Sequence, residues 1–286
     1  MSVVIWADGR LHAPTDRILT GVDHGVTVGD GVFETCAVYS GQAFALTRHL
    51  RRLARSAVGL GLPAPDEGRV RDAVAEVLAA AGDAGRLRIT YTGGPGPLGS
   101  HRDEPEEQRP SLVVLAGPAT RAASSRVVRV PWVRNERSAV AGLKTTSYAE
   151  NVVALARALR QGADEAVLAN TVGELCEGTG SNVVVERAGE LVTPPLSSGC
   201  LAGITRELLI EWAAAAGVPV REAAPGELPY DVLDEVLTGA AHLTLTGSIR
   251  NVSPVVSLDE HDVTVGELSR AAAELFQARA LDDLDP

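Results

Sequence analysis

Lysine is almost missing from this 286-residue chain: of its 26 basic residues, only Lys144 is a lysine and all the others are arginine. Arginine replaces lysine as a surface charge, a phosphate clamp or a salt-bridge partner, but not as a primary amine that condenses with a carbonyl. A lone lysine is therefore either what a coding bias toward arginine leaves behind or an amine kept for its nucleophilicity. Composition leaves both open. The second use needs a neutral amine, which burial and cationic neighbours supply by lowering the pKa from about 10.4.

Cysteine is scarce as well. Cys36, Cys176 and Cys200 are odd in number, widely spaced and free of any CxxC, so buried thiols in a reducing compartment are expected rather than a disulfide framework or a zinc site. The six histidines (His12, His24, His49, His101, His242 and His261) form no HxxH or HExxH pair, and no metal is expected. No stretch approaches the roughly 20 apolar residues of a membrane span, and the opening MSVVIWADGR carries Asp8 instead of a basic start and a long apolar run. A soluble, cytoplasmic protein that contacts no membrane is the expectation. Three Trp, four Tyr and three Phe accompany a formal charge of -11, which argues against base stacking and phosphate tracking on nucleic acid. A small-molecule substrate is what remains.

What is present reads as a mixture of strands and helices. Residues 2–7 run as a strand into an Asp8-Gly9 turn, and 86–92, 111–117 and 126–133 have strand character. Helical spacing marks 49–62 and 70–82. The Gly/Pro/Ser-rich stretch 117–125 reads as a connector, which divides the chain into a small domain at 1–117, a linker at 118–125 and a larger domain at 126–286. In the second part, Ser147 and Glu150 have the S-x-x-E spacing of a capping box, which places Lys144 just outside a helix. Strands are expected at 165–170, 181–186 and 190–195, and helices at 205–217 and 266–281. The final LDDLDP reads as a frayed, solvated tail.

Gly94, Gly96 and Gly99 satisfy G-x-G-x-x-G directly after a strand. However, Pro95 and Pro97 stiffen the loop, no helix follows, and no acidic residue ends a second strand at the required distance, so dinucleotide binding is not expected. The loop can still line a pocket, with Ser100, His101 and Arg102 at its rim.

Three segments downstream of Lys144 carry separate chemical uses. In GELCEGTGSN (173–182), Glu177 sits in a Gly-rich turn, where a partly buried carboxylate needs a cationic partner such as a protonated pyridine nitrogen. In GCLAGITRELL (199–209), Gly203, Ile204 and Thr205 open a helix and offer free N–H groups and a hydroxyl to an anion. In TLTGSIRNVSPV (244–255), Gly247 and Ser248 form a second small-residue turn able to do the same. An amine, a carboxylate and two anion nests together suit pyridoxal 5'-phosphate.

These segments, with GDGVFET (29–35), HLRRL (49–53) and LKTTSYAEN around the lysine, resemble in order and spacing the class IV aminotransferase family of fold-type IV pyridoxal phosphate enzymes. The resemblance implies a two-domain α+β fold with the cofactor in the cleft between the domains, and a homodimer whose partner helps wall the site. It further implies that Lys144 holds the cofactor as a Schiff base and shuttles protons, and that Glu177 keeps the pyridine nitrogen protonated. Arg52 would clamp the phosphate with Ile204, Thr205, Gly247 and Ser248. Tyr148 would donate to the cofactor's phenolate oxygen. Phe33, Thr35 and Asn182 would belong to the substrate pocket.

Within the family, GVFET and KTTSYAEN resemble the 4-amino-4-deoxychorismate lyases, which release 4-aminobenzoate and pyruvate. The alternative is a transaminase for D-amino or branched-chain amino acids. The Arg-Gly pair that D-amino-acid transaminases carry after the strand at 86–92 is replaced here by Gly93-Gly94, and Arg102 is the candidate substitute.

Overall fold

The computed structural model describes residues 3–286, which fall into two compact units. The first holds the chain up to Thr120 together with Leu143–Tyr148 and Asp283–Pro286; the second holds Arg121–Gly142 and Ala149–Asp282. The main division lies inside the connector read from the sequence. Lys144, however, belongs to the first unit and not to the 126–286 domain. The reason is strand pairing: Phe33 N–H donates to Lys144 O (3.0 Å) and Thr146 N–H to Gly31 O (2.8 Å), with an isolated bridge between Val32 and Thr145.

In the first unit, β1 (Val4–Ala7) and β2 (Arg10–His12) form the hairpin expected at Asp8-Gly9. There follow the single turn α1 (His24–Thr27), β3 (Gly31–Tyr39), β4 (Gln42–Ala43), helices α2 (Leu46–Leu60) and α3 (Glu67–Ala81), and strands β5 (Arg86–Thr92) and β6 (Ser111–Gly117). The strands make an antiparallel sheet in the order β2-β1-β6-β5-β3-β4. Val32, Cys36, Leu87, Ile89 and Val114 share a core with Leu50, Leu53, Val74 and Val77 of the two helices. Because successive strand side chains alternate between faces, Phe33, Thr35, Arg88 and Thr90 stand on the other face. The register pairs Phe33 with Thr90 and Thr35 with Arg88.

The start of α2 is completed from far along the chain. Ala45 precedes the helix in the left-handed region (φ 53°) and has no capping side chain. Asp285 takes over that role: its carboxylate accepts from Thr47 N (2.8 Å) and Thr47 Oγ1 (2.6 Å), while Ala45 N–H donates to Leu284 O (2.7 Å). The terminal residues thus dock on a helix, which corrects their reading as a frayed tail. Asp285→Ala is expected to lower stability by about 1 kcal/mol, the usual effect of losing an N-cap acceptor; an unchanged urea midpoint would contradict the cap.

The second unit contains β7 (Ser125–Arg134), α4 (Ala149–Arg160), β8 (Glu165–Asn170), β9 (Leu175–Gly178), β10 (Asn182–Arg187), β11 (Glu190–Thr193), α5 (Ile204–Ala215), β12 (Val220–Glu222), α6 (Val232–Thr238), β13 (His242–Gly247), β14 (Asn251–Leu258), β15 (His261–Asp262) and α7 (Glu267–Asp282). Its sheet runs β12-β11-β10-β13-β14-β7-β8-β9, with β15 on β14. The pairing of Asn182 with Glu177 brings β9 back to β10 and closes a ring of strands. Val183, Leu243, Leu245 and Val255 pack with Val232, Leu233 and Val236 of α6 in one core, and Ala154 and Ala158 of α4 pack on Val128 and Leu168 in another. The capping box does not form as expected: α4 begins at Ala149, and the Ser147 hydroxyl donates instead to Gly29 O (2.9 Å).

Candidate active site

In the first unit, the face of the sheet away from the helical core carries a cluster centred on Phe33. Lys144 Nζ lies 4.4 Å from the Phe33 ring centroid, and the Arg88 guanidinium carbon lies 3.6 Å from it. Tyr148 meets the same ring edge-on, with centroids 5.3 Å apart at 83°. The backbone of Lys144 is fixed at both polar atoms, since its N–H donates to Ser56 Oγ (3.2 Å) and its carbonyl accepts from Phe33. Arg88 and Lys144 are thus both placed against the Phe33 ring.

Arg88 itself went unremarked in the sequence. Its Nε donates to Thr90 Oγ1 (3.3 Å), and among the described residues no carboxylate lies within ion-pair distance. Burial pulls its pKa down, and Tyr148 and Glu34 oppose this only in part. A half-buried guanidinium without a carboxylate partner is costly unless an anion completes it.

Arg52, the expected phosphate clamp, projects from α2 into a buried charge cluster. Its Nε and Nη2 donate to Glu34 Oε1 (2.8 Å) and Oε2 (2.7 Å), and His49 Nδ1 lies 2.6 Å from Glu34 Oε2. Burial alone would raise the Glu34 pKa, but the charges and hydrogen bonds of Arg52 and His49 outweigh it and hold the carboxyl well below the usual range. Burial lowers the His49 pKa despite the opposing pull of Glu34, so the imidazole is neutral and its Nδ1–H is assigned as the donor. The fork–fork contact fixes the plane of the guanidinium. Neither Glu34 nor His49 stood out in the sequence, because their meeting depends on α2 lying across β3.

Arg102 does not stand free at a pocket rim. Nε and Nη2 donate to both oxygens of Asp30 (2.7 and 2.6 Å), while Nη1 and Nη2 reach the carbonyls of Gly61 and Leu60 at the end of α2 (3.0 and 2.9 Å). Its donors are taken up in tying the 93–102 loop to the helix. At Gly93, where the transaminase pair has its arginine, a Cβ would lie 2.7 Å from Asp30 Oδ2.

In the second unit, Glu177 is in strand β9, one residue before the Gly-rich turn in which it was expected. It is buried, its Oε1 accepts from Arg134 Nε (3.1 Å), and its Oε2 accepts from Leu201 N (2.9 Å). Arg134, a partner missed in the sequence, pairs with the Glu177 side chain. Asn182 braces the neighbouring loop, donating from Nδ2 to Leu201 O (2.8 Å), and a Cβ at Gly203 would lie 2.0 Å from its Oδ1. Gly203 precedes α5 with no capping side chain, so the first-turn amides of Ile204 and Thr205 point at no acceptor among the described residues. Gly247 and Ser248 form the corner between β13 and β14.

Taken separately, the amine of Lys144 beside Phe33 in the first unit, and the buried Glu177 and the uncapped start of α5 in the second, are of the chemical kinds that an aldehyde, a pyridine nitrogen and a phosphate would meet. The fold is that of the fold-type IV pyridoxal phosphate-dependent enzymes. More narrowly, the chain belongs to the class IV aminotransferase family, described as Amino-transferase class IV, whose profile matches residues 31–258. It is 33% identical over 310 aligned residues to the bifunctional aminodeoxychorismate lyase / D-amino acid transaminase of Mycobacterium tuberculosis, covering 98% of this chain and 100% of that one. A 4-amino-4-deoxychorismate lyase from Pseudomonas aeruginosa superposes with a TM-score of 0.80 at 31% identity, over 99% of this chain and 100% of that one. The PLP-bound form of an aminotransferase from Mycobacterium tuberculosis, described as hypothetical, superposes at 0.83 with 29% identity, over 99% and 100%.

Proposed function

We propose that Lys144, Arg52, Tyr148, Glu177, Ile204, Thr205, Gly247 and Ser248 bind pyridoxal phosphate, and that the enzyme acts on an amino compound carrying a carboxylate. The observation that carries this reading is Arg88, a partly buried guanidinium without a carboxylate partner on the same ring as the Lys144 amine. When bound, the cofactor supplies an electron sink for a carbanion next to the substrate nitrogen. The chain's own groups do the rest. Lys144 Nζ takes and returns the substrate proton, Glu177 keeps a proton on the pyridine nitrogen, Phe33 forms an apolar wall that excludes water, and Arg88 binds the substrate carboxylate. Thr35 and Asn182 complete the pocket.

The reaction proposed first is that of a 4-amino-4-deoxychorismate lyase giving 4-aminobenzoate and pyruvate. Similar proteins that bear that name support it, and Gly93 stands where the arginine of an Arg-Gly carboxylate trap would be. Transamination of D-amino or branched-chain amino acids is the alternative, and the names of similar proteins support it equally.

Supplying aminodeoxychorismate and, separately, D-alanine or leucine with 2-oxoglutarate decides between them. Release of 4-aminobenzoate supports the lyase; keto-acid exchange without 4-aminobenzoate overturns it. Arg88→Met is expected to raise KM about tenfold or more, the loss of one charge-assisted carboxylate contact, with cofactor loading unchanged. An unaltered KM would remove Arg88 from substrate binding.

The protein is also proposed to be a homodimer. Trp132 and Val133 of β7 (43% and 46% exposed) and Val152, Val153 and Leu159 of α4 (61%, 52% and 61%) leave large apolar side chains in solvent on the second unit. Such residues mark association surfaces when they gather. Light scattering after size-exclusion chromatography that finds an active monomer would contradict this.

A further inference from the structure

The second unit contains a buried ion pair that none of the cofactor contacts uses. Glu165, at the start of β8, is 2% exposed. Its Oε1 accepts from the backbone of Thr179 (2.8 Å) and Gly180 (3.2 Å) and from the Thr179 hydroxyl, and its Oε2 accepts from Ser181 Oγ (3.0 Å). Those donors make up the turn that directly follows Glu177. The same Oε2 accepts from Arg250 Nη2 (2.9 Å), and Arg250 closes the other turn, two residues after Ser248. Arg250 Nη1 reaches Ser125 Oγ (2.7 Å), which in turn contacts Ser253 Oγ (2.8 Å), and also Asp164 Oδ1 (3.2 Å).

The two turns approach each other at Gly247 and Gly180, and the first is closely packed around Gly178. A Cβ at Gly178 would meet Ser181 Oγ at 2.4 Å and Glu165 Cγ at 3.1 Å, and one at Gly247 would lie 3.4 Å from Gly180 O. One carboxylate therefore anchors the turn after the pyridine-facing Glu177 and, through one guanidinium, the turn of Gly247 and Ser248. A carboxylate that accepts several backbone and hydroxyl donors and a guanidinium is fully satisfied and geometrically rigid.

We propose that Glu165 and Arg250 are positioning residues that hold the Gly247-Ser248 corner in register with Glu177, so that a pyridine ring and its phosphate ester are gripped at a fixed separation. The proposal rests on the cofactor assignment above. It makes the pair responsible for preference for the phosphorylated over the unphosphorylated vitamer.

The test compares binding of pyridoxal phosphate and of pyridoxal, followed by absorbance, in Arg250→Met, Arg250→Lys and the unaltered protein freed of cofactor. Arg250→Met is expected to weaken pyridoxal phosphate binding on the order of ten- to a hundredfold, as for loss of charge-assisted hydrogen bonds, with pyridoxal binding changed less than about twofold. Arg250→Lys keeps the cation beside Glu165 and is expected to fold and to fall between the two. Equal loss for both vitamers, or no loss for either, overturns the positioning role. Should the unaltered protein bind both vitamers equally, the phosphate assignment of Gly247 and Ser248 fails instead, which separates the two failures.

Discussion

Lys144→Arg is expected to abolish turnover, on the order of 10⁴-fold or more, while the protein folds normally and still binds pyridoxal phosphate noncovalently. Arginine preserves the positive charge and most of the bulk above Phe33, where Lys144 Nζ now lies 4.4 Å from the ring centroid. Cation–π attraction of this kind is worth about 0.5–1 kcal/mol and is retained, often improved, by a guanidinium. The missing property is a primary amine able to attack the cofactor's aldehyde and then move the substrate proton. Stability and catalysis should therefore separate completely: a melting temperature within about 2 °C of the unaltered protein, with product formation lost in both the lyase and the transaminase assay. Because the chain has no second lysine, no neighbouring amine can substitute, and residual turnover near the original level would remove Lys144 from the chemistry.

Glu34→Gln is expected to have the largest effect on folding. The carboxylate is fully buried and joined to Arg52 by two hydrogen bonds and to His49 by a third. Removing its charge leaves the Arg52 guanidinium buried and uncompensated, which costs about 3–5 kcal/mol. A drop in melting temperature on the order of 10 °C follows. The pH dependence has a definite sign. The Glu34 pKa is depressed in the fold, so its stabilisation is present above the ordinary value of 4.5 and is lost as pH falls toward the folded value. The His49 pKa is also lowered, which keeps the ring neutral and makes unfolding take up a proton below its ordinary 6.5, so acidification weakens the fold through both groups. Glu34→Gln should flatten the part of the acid limb that lies below about pH 5. A variant melting within 1 °C of the parent, with an unchanged acid limb, would show that the pair does not stabilise the unit. Because Arg52 is also the proposed phosphate clamp, its fixed plane links this stability to cofactor binding.

Much of the fold could be read from residues alone. Strands at 86–92, 111–117 and 165–170 have the bounds their patterns gave, since each is a short alternating or apolar run closed off by Gly, Pro or Asp. β3 was harder, because GVFETCAVY carries Glu34 on the face that packs against α2 and reads as a motif before it reads as a strand. The short α6 and the closing strand β9 have too few residues for periodicity to declare itself. The terminal LDDLDP looked solvated because its acceptor role for Thr47 depends on an approach across 238 residues of sequence.

The site divides along the same line. Lys144 stood out because its residue type is unique, and Glu177 because its turn is unusual. Arg88, Arg134 and Arg250 were hidden among 25 chemically identical arginines, and only the register of β3 on β5 and the closure of β9 on β10 distinguish them. Arg102 shows the reverse error, since its place in a loop next to His101 suggested a free cation and Asp30 occupies it.

The most direct measurement is borohydride reduction of the purified protein loaded with pyridoxal phosphate, followed by peptide mapping. The account predicts loss of the yellow colour on reduction and a stable cofactor adduct on the peptide containing Lys144. A protein that stays colourless with the cofactor, or an adduct confined to the chain's α-amino group, would contradict it.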